Sequence, residues 1–360
     1  MSRATVATIH LGALRRNLAR VRERARGAKV MAVVKADGYG HGLERVARAL
    51  HDADAFGVAA LGDGLRLRAA GIERRIVVLS GPDEPADLAE FRRLKLDAVI
   101  HHDAQLAWLE ADRDRRPLRA WLKIDTGMHR LGFAAVAAAQ AYARLRALPN
   151  VDAEVALMTH YAASDEFDNA LTARQIASFD AATRTLAGPR ALSNSAGLLG
   201  WPAGRDDWVR VGGLLYGLSV LEGRTGAELG FEPAMTLSTK LISINGVKRG
   251  ERIGYAATWE CPEDMPIGVA AIGYGDGYPR SAPAGTPVLV NGARATIVGR
   301  VSMDLITIDL RGVPDANVGG RVVLWGDALP VEEIAARAGT ISYDLTCGMT
   351  KRVLFVEDDG

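Results

Sequence analysis

Lysine, histidine, serine and arginine residues follow stretches of this sequence that predict buried β-strands. Lys35 comes directly after the apolar run VMAVV and directly before the glycine-rich stretch ADGYG. A lysine at the end of a buried strand is partly desolvated, and desolvation lowers the pKa of its amine. A neutral amine can form a Schiff base with an aldehyde. Lys35 is therefore a candidate for covalent attachment of a group that carries a carbonyl.

Polar residues end several other predicted strands in the same way. They are Lys123 and Asp125 with Arg130 in the following loop, His160 and Tyr161, Asn194 and Ser195, and Arg210 followed by Gly212 and Gly213. Each residue alone has an ordinary structural explanation, such as a surface lysine, a helix cap or an ion pair. Their agreement across five strand ends instead indicates a common pocket.

The residue types at these ends suit a flat, anionic and electrophilic ligand. Ser195 and the N–H groups of Gly212 and Gly213 can hold a phosphate. The imidazole of His160 can lie on an aromatic ring. Pyridoxal phosphate bound to Lys35 as an aldimine fits these features. A phosphosugar aldolase also uses a barrel lysine with a phosphate site, so it remains an alternative on the residues alone.

Alternating strands and helices predict an architecture that would bring these residues together. Between residues 10 and 230, eight apolar runs of strand length alternate with helical spacing, as at Leu43, Val46, Ala47 and Leu50. This α/β pattern favours a (β/α)8 TIM-like barrel over an open doubly wound sheet. The run RALSNSAG is the weakest strand of the eight. In such a barrel the working residues lie at the C-terminal ends of the strands.

Residues 231–360 follow a different pattern. Short β-prone runs are broken by glycine, asparagine and proline, and helical spacing remains only near PVEEIAARAG. The sequence therefore predicts a second, mostly β domain after the barrel. The opening segment TVATIHL, within residues 1–9, also predicts a strand.

The composition is that of an ordinary globular protein. Apolar residues make up 48% and charged residues 24%, and the net charge of +1 gives no indication of nucleic acid or an anionic membrane as partner. No apolar stretch reaches membrane-spanning length, and the N-terminus has no signal-peptide pattern. The only cysteines, Cys261 and Cys347, suggest a reducing compartment. We expect a cytoplasmic protein without a metal ion.

The sequence resembles the alanine racemase family, which are fold-type III pyridoxal phosphate enzymes, over essentially its whole length. The matching stretches are AVVKADGYGHG, LKIDTGMHRLG, THYAASDE, SNSAG, VRVGGLLYG, GERIGYAATW, GYGDGYPR, GRVSMDL and ISYDLTCGMTKRV. Nine motifs in the same order across both predicted domains make this a specific signal.

The resemblance implies a role for individual residues. Lys35 would hold the cofactor and act as one catalytic base, and Tyr255 would be the second base. The implied phosphate-binding residues are Tyr39, Ser195, Gly212, Gly213 and Tyr343. His160 would stack on the pyridine ring, and Arg210 would face the pyridine nitrogen. Because a guanidinium keeps its proton, Arg210 should leave that nitrogen unprotonated and suppress transamination.

Three further residues concern the substrate. The resemblance implies that Arg130 and Met303 contact its carboxylate. Lys123 matches a lysine that is carbamylated in some family members, where it holds the substrate-binding arginine. An ordinary lysine paired with Asp125 is an equally good interpretation of this residue.

The resemblance also implies a head-to-tail homodimer with shared active sites. Tyr255 and Met303 would reach the cofactor of the partner subunit, and the N-terminal strand would join the C-terminal domain. The implied reaction interconverts L-alanine and D-alanine, which supplies D-alanine for peptidoglycan. Racemisation needs a base on each face of the substrate. Lys35 would exchange the proton of D-alanine, and Tyr255 that of L-alanine.

Other activities stay open at this point. A racemase of broader specificity, for serine or basic amino acids, differs only in pocket volume. A decarboxylase of the same barrel family would need a catalytic cysteine, and Cys347 lies close to Tyr343 in the sequence, although the GERIGYAAT motif argues against it. A cofactor carrier built on the barrel alone would not need the β domain.

Overall fold

The computed structural model describes residues 4–201 and 206–360. The chain divides into two compact units. The barrel unit comprises Arg15–Leu215 and Val220–Gly223. The β unit comprises the segment that ends at Leu14, Tyr216–Ser219 and Arg224–Gly360. Each end of the chain therefore belongs to the β unit.

The first part of the chain alternates strands with helices. In chain order the strands are β1 (Val6–His10), β2 (Lys29–Val33), β3 (Ala55–Val58), β4 (Arg75–Val78), β5 (Leu96–Ile100), β6 (Ala120–Asp125), β7 (Phe133–Ala134), β8 (Ala156–Met158), β9 (Arg190–Ala191) and β10 (Trp208–Val211). The helices are α1 (Leu11–Ala25), α2 (Lys35–Tyr39), α3 (Leu43–Ala49), α4 (Leu61–Ala69), α5 (Asp87–Arg93), α6 (Asp103–Ala111), α7 (Ala138–Ala147), α8 (Ala170–Thr183) and α9 (Ser195–Gly200).

The barrel unit is built on a parallel sheet that nearly closes on itself. Its strands run in the order β10-β2-β3-β4-β5-β6-β8-β9, and β7 adds to β6. Between the two edge strands, the N–H of Asp207 donates to the carbonyl of Arg190 at 2.9 Å, and that of Arg210 donates to Ser193 at 3.0 Å. These bonds link β9 to β10. The predicted (β/α)8 barrel is confirmed.

One layer of side chains from neighbouring strands fills the barrel. It consists of Met31, Ala55, Val77, Val99, Trp121, Ala156, Met158, Ala191 and Trp208, all buried. Near the N-terminal ends of the strands, the fully buried carboxylate of Asp97 accepts a bond from the Trp121 indole at 2.8 Å and ion-pairs with Arg75 at 2.6 Å. Packing at the N-terminal end of the strands stabilises the barrel. Ligands of such barrels bind at the opposite end, where the strands end.

The β unit contains the remaining strands. They are β11 (Met235–Val247), β12 (Arg252–Ile253), β13 (Trp259–Glu260), β14 (Met265–Ala270), β15 (Pro287–Val290), β16 (Ala293–Val298), β17 (Ile306–Asp309), β18 (Arg321–Trp325) and β19 (Leu354–Asp358). Two helices, α10 (Val331–Ala338) and α11 (Ser342–Cys347), accompany them. The predicted mostly β C-terminal domain is confirmed.

The long strand β11 closes the sheet of the β unit. Its 13 residues pair with β18 through 237–240 and with β14 through 241–247. The ring β11-β14-β17-β16-β15-β18 is therefore complete. The N-terminal strand β1 adds to β11 in antiparallel orientation and to β19 in parallel orientation. Of the helices in residues 4–201 and 206–360, none combines the length and apolar character needed to cross a bilayer.

Candidate active site

The barrel unit brings the predicted residues to the C-terminal ends of its strands. Lys35 follows β2, Lys123 lies in β6, and His160 follows β8 by two residues. Ser195 opens α9 after β9, and Arg210 lies in β10. In a barrel these ends surround a single mouth. Because the strands that carry these residues belong to one barrel, residues that are far apart in the sequence lie at the same end of it.

Lys35 is followed by a turn of unusual backbone conformation. Ala36, Asp37 and Gly38 have φ of 53°, 53° and 63°, and Tyr39 has φ of 54°. Left-handed conformation costs about 1–2 kcal/mol for each residue that carries a Cβ. Strain of this kind persists where surrounding contacts impose it, often at functional sites. The side chain of Lys35 is exposed, so the desolvation that we expected at this lysine is not observed.

Ion pairs hold this left-handed turn. Arg66 of α4 donates to Asp37 Oδ1 at 2.7 Å and to Glu44 Oε1 at 2.9 Å. The same Asp37 oxygen accepts from the N–H of Leu43 at 3.2 Å. Hydrogen bonds to Glu44 and then to Asp37 raise the pKa of Arg66 above its ordinary value. We call Arg66, Asp37 and Glu44 the Arg66 clamp.

Tyr39, Ser195 and Gly212 form a small polar pocket. The N–H of Gly212 donates to Ser195 Oγ at 3.0 Å. A Cβ at position 212 would lie 2.3 Å from the Tyr39 hydroxyl oxygen, so a side chain there would require Tyr39 to move. Asn194 accepts a bond from the N–H of Gly197 at 2.8 Å and thereby caps α9. Hydroxyl and N–H groups are thus concentrated at the end of β10.

Arg210 and His160 lie side by side. Arg210 is 4% exposed and donates to the carbonyls of Ala191, Thr159 and Leu192. Its Nη2 lies 3.4 Å from His160 Nδ1. Burial lowers the pKa of Arg210 to about 10. Burial, followed by the charge of Arg210, holds the pKa of His160 well below its ordinary value, so its imidazole is neutral at pH 7.

Lys123 is the buried lysine of the site. It is 8% exposed, and burial lowers its pKa to about 8, with further lowering by the positive charges of Arg210, Arg130 and Lys35. Four cationic groups therefore act on one another at the barrel mouth. This arrangement suits a ligand with more than one anionic group.

Asp125 organises the loop that leads to Arg130. Its Oδ1 accepts from the N–H groups of Gly127, Met128 and His129 at 2.9, 3.1 and 3.1 Å. Its Oδ2 lies 3.1 Å from His129 Nδ1. Within the described residues, Asp125 forms no ion pair with Lys123. The simple pairing that the sequence allowed for Lys123 is therefore not observed.

The other predicted residues belong to the β unit. Tyr255 is 69% exposed and opens a 3-10 helix directly after Gly254, which has φ of 75°. Met303 is 52% exposed, and its carbonyl accepts from the N–H of Gly275 at 2.8 Å. Tyr343 lies half-buried in α11. Two of these three side chains are thus available on the surface of the chain.

Two polar residues that support the site, half-buried Asp206 and buried Gln175, were not predicted from the sequence. Asp206 accepts from the N–H of Leu192 and from the N–H and hydroxyl of Ser193, the latter at 2.6 Å. Gln175 of α8 bonds the segment after β8. Gln175 carried a detectable signal, because it is a polar residue on the face of α8 that also buries Ile176 and Phe179. No spacing pattern distinguishes Asp206.

Comparison with known proteins agrees with this arrangement. The model of the alanine racemase N-terminal domain matches residues 9–220, and that of the alanine racemase C-terminal domain matches residues 234–356. An alanine racemase from Coxiella burnetii is 47% identical over 362 residues, with 99% of each chain covered. One from Shewanella amazonensis is 50% identical over 355 residues, with 96% of this chain and 97% of the relative covered.

Solved structures give the same result. The biosynthetic alanine racemase from Pseudomonas aeruginosa superposes with a TM-score of 0.95 at 45% identity and covers 99% of each chain. The alanine racemase from Acinetobacter baumannii gives a TM-score of 0.93 at 33% identity, with 99% of this chain and all of that chain covered. Both domain models, the full-length relatives and the barrel site lead to one conclusion: this chain belongs to the alanine racemase family.

Proposed function

We propose that this chain is an alanine racemase, which interconverts L-alanine and D-alanine with pyridoxal phosphate attached to Lys35. The observation that carries the proposal is the convergence of four cationic side chains with the Ser195–Gly212 pocket at the mouth of a family barrel. Relatives that are named alanine racemases over their full length support alanine as the substrate.

The residues at the barrel mouth fit the cofactor. Its phosphate would be bound by the hydroxyls of Tyr39 and Ser195 and by the N–H groups of Gly212 and Gly213, with Tyr343 contributing from a β unit. The neutral ring of His160 would stack on the pyridine ring. When bound, pyridoxal phosphate supplies an aldehyde that condenses with an amine and a ring that withdraws electrons from the substrate Cα.

Arg210 would control the electronics of the bound ring. Three backbone carbonyls hold its guanidinium, and its pKa of about 10 keeps it protonated at pH 7. A guanidinium facing the pyridine nitrogen donates a hydrogen bond to it and leaves it unprotonated. We therefore expect little transamination beside racemisation.

Lys35 and Tyr255 would exchange the α-proton on opposite faces of the substrate. The Lys35 amine would take or return the proton of D-alanine, and the Tyr255 hydroxyl that of L-alanine. A free phenol and a free ammonium group both have pKa values near 10, so positive neighbours are needed to favour a phenolate. The cationic barrel mouth would supply them.

Arg130 would bind the substrate carboxylate, together with Met303. Lys123 would support Arg130 after carbamylation, in which its neutral amine adds carbon dioxide and releases one proton. A pKa of about 8 gives Lys123 a substantial neutral fraction. The resulting carbamate anion would bind the Arg130 guanidinium.

Labelling with 13C-bicarbonate tests the carbamylation of Lys123. The labelled protein should give a carbamate signal that Lys123→Met removes. If the signal persists in that variant, Lys123 is not the carbamylated residue.

We also propose a homodimer in which Tyr255 and Met303 complete the active site of the partner subunit. The high exposure of both side chains in the single chain supports this arrangement. The reaction would take place in the cytoplasm, which the low cysteine content favours. It would supply D-alanine for peptidoglycan.

Two measurements test the proposal. Borohydride reduction of the holoprotein, digestion and mass spectrometry should locate the cofactor label on Lys35. The label should vanish in Lys35→Ala and persist in Lys29→Ala, at the other end of the same strand. Racemisation of L-alanine, L-serine and L-lysine should show alanine as the strongly preferred substrate. A label elsewhere, or preference for serine or lysine, would contradict the corresponding part of the proposal.

A further inference from the structure

Gln175 is a fully buried polar residue on the inner face of α8. Its Oε1 accepts from the N–H of Ala162 at 2.9 Å, and its Nε2 donates to the carbonyl of His160 at 2.9 Å. The same Nε2 lies 3.3 Å from Thr126 Oγ1. One amide therefore binds the segment after β8 on both sides of Tyr161 and also reaches the loop after β6.

We propose that Gln175 is a positioning residue that fixes the His160 ring for stacking on the cofactor and ties it to the loop that carries Arg130. This inference rests on the function proposed above. Gln175 forms hydrogen bonds with His160, Ala162 and Thr126. It acts through the backbone of the residues that would touch the cofactor and the substrate.

The chemistry of the contacts requires an amide. The carbonyl of His160 needs a donor, whereas the N–H of Ala162 needs an acceptor. Glutamine supplies both from one planar group, but methionine supplies neither and ionised glutamate supplies only the acceptor. Since a buried polar group without a partner is costly, loss of the amide should make this segment move until its backbone groups find other partners.

Hydroxyl groups extend the contact toward Arg210. Thr126 Oγ1 lies 2.8 Å from Thr159 Oγ1, and the carbonyl of Thr159 accepts a bond from Arg210. Thr126 also directly follows Asp125, whose carboxylate shapes the loop to Arg130. Gln175 thus lies at the junction of the two segments that would bind the cofactor ring and the substrate carboxylate.

Gln105 provides a matched control within the same barrel. It is 4% exposed on α6, its Oε1 accepts from the N–H of His101 at 2.9 Å, and its Nε2 donates to the carbonyl of Pro82 at 3.0 Å. It holds the segment after β5 as Gln175 holds the segment after β8. None of the hydrogen bonds that it forms with the described part of the chain involves a residue of the proposed site.

The experiment compares Gln175→Met with Gln105→Met in the holoenzyme. We expect both variants to lower the thermal midpoint by similar amounts. Only Gln175→Met should weaken pyridoxal phosphate binding, by about tenfold, because the His160 ring would no longer be held for stacking; a tenfold loss corresponds to about 1.4 kcal/mol. It should also shift the cofactor absorption band and raise KM for alanine. Equilibrium dialysis, absorption spectra and steady-state kinetics measure these effects.

The possible outcomes separate this inference from the proposed function. Wild-type protein that carries no cofactor on Lys35 overturns the proposed function. Wild-type holoenzyme with normal racemisation, but with equal cofactor affinity and spectrum in Gln175→Met and Gln105→Met, overturns the positioning role alone. If Gln175→Met does not fold, Gln175→Glu is assayed at a pH at which its carboxylate is ionised, where it keeps the acceptor for Ala162 and loses the donor. Wild-type cofactor affinity in that variant also overturns the inference.

Discussion

Lys123 shows how burial at the barrel mouth controls the charge of a single side chain. Its amine is withdrawn from water and faces the positive charges of Arg210, Arg130 and Lys35. Both effects disfavour the ammonium form, and together they lower its pKa from 10.5 to about 8. The folded protein therefore binds this proton less tightly than the unfolded chain does. The stability of the fold must depend on pH in the corresponding range.

We predict that Lys123→Met stabilises the protein most at pH 7 and below, when carbon dioxide is excluded. There the folded state keeps a buried charge at a cost of about 3.5 kcal/mol, since its pKa is lowered from 10.5 to about 8 and each pKa unit corresponds to about 1.4 kcal/mol. Between pH 8 and 10.5 the folded form loses the Lys123 proton while the unfolded form keeps it, so the free-energy cost of the buried charge falls. Above pH 10.5 Lys123 is neutral in both forms, and this cost is absent. Urea unfolding of both proteins at several pH values measures this, and a benefit that grows with pH would contradict it.

A second residue prediction concerns Tyr255. Tyr255→Phe should keep the cofactor on Lys35 but lower racemisation by about 10²- to 10⁴-fold, the usual contribution of a positioned acid or base. In heavy water the variant should still exchange the α-proton of D-alanine through Lys35, whereas exchange from L-alanine should be lost. Tyr142→Phe is the control, since the Tyr142 hydroxyl donates to the carbonyl of Ala187 at 2.7 Å and Tyr142 is not a residue of the proposed site. Equal exchange from both enantiomers in Tyr255→Phe would remove Tyr255 from this role.

At the scale of elements, the turn after β2 combines strain with an external clamp. Three of its left-handed residues, Ala36, Asp37 and Tyr39, carry a Cβ. The bonds from Gly38 N to Val34 O at 2.9 Å and from Gly40 N to Ala36 O at 3.0 Å define its shape. Arg66 contacts two carboxylates, one in the turn and one in α3. The clamp thus fixes the backbone between the proposed anchor lysine and the phosphate-binding Tyr39.

We predict that Arg66→Met loosens this turn without unfolding the barrel. The ion pairs are half-exposed, so the global loss should be below about 1 kcal/mol. Hydrogen exchange at the N–H groups of Gly38, Gly40 and Gly42 should nevertheless accelerate, because the turn opens locally. Arg144→Met is the matched control, since Arg144 likewise binds two carboxylates, Asp103 and Glu110. Equal exchange at these glycines in both variants would show that the clamp is not required.

The same elements show what a sequence pattern can predict. Most barrel strands were found because their apolar runs, such as that of β2, have the length and composition of buried parallel strands. Strand β9 has only two residues, Arg190 and Ala191, and its extension is held by Asp206 and Asp207, which accept from the N–H groups of β9 and the residues that follow it. Such side-chain bonds have no periodicity, so they become visible only in the folded chain.

Some residues of the proposed site could be predicted from physical rules, and others only from the resemblance. The rule that barrel ligands bind at the C-terminal strand ends predicted Lys35, His160 and Arg210, and the structure places these residues at those ends. No physical rule pointed to Tyr255 or Met303, which came from the resemblance alone, because they lie outside the barrel strands in the β unit. Desolvation was expected at Lys35 but occurs at Lys123, since Lys35 opens the exposed turn whereas Lys123 lies within β6.

At the scale of the whole molecule, the β unit presents apolar side chains that a single chain leaves in water. Met303, Ile341 and Tyr255 are 52%, 62% and 69% exposed. Exposed apolar residues of this size commonly mark a surface that another subunit covers. A two-fold symmetric dimer contains two copies of each contact, so a site built from two subunits occurs twice. This property allows the shared site to be tested without a structure of the dimer.

We predict that two inactive variants restore activity when they form a mixed dimer. Lys35→Ala removes the proposed cofactor anchor, and Tyr255→Phe removes the proposed opposing base. If each site takes Lys35 from one subunit and Tyr255 from its partner, a mixed dimer has one intact site and one site with both defects. When equal amounts of the two variants assemble at random, half of the dimers are mixed. Each mixed dimer has one intact site of two, so about a quarter of the wild-type activity should return. Racemisation assays after joint unfolding and refolding measure this recovery.

The reverse combination distinguishes sharing from any other cause of recovery. The double variant Lys35→Ala/Tyr255→Phe is mixed with wild-type protein in equal amounts. With shared sites, each mixed dimer has one defect in each site and is inactive, so only the quarter of dimers that are purely wild-type contribute. With sites confined to one subunit, each mixed dimer keeps one intact site, and half of the activity remains. No recovery in the first mixture and half in the second would place Tyr255 in the active site of its own chain.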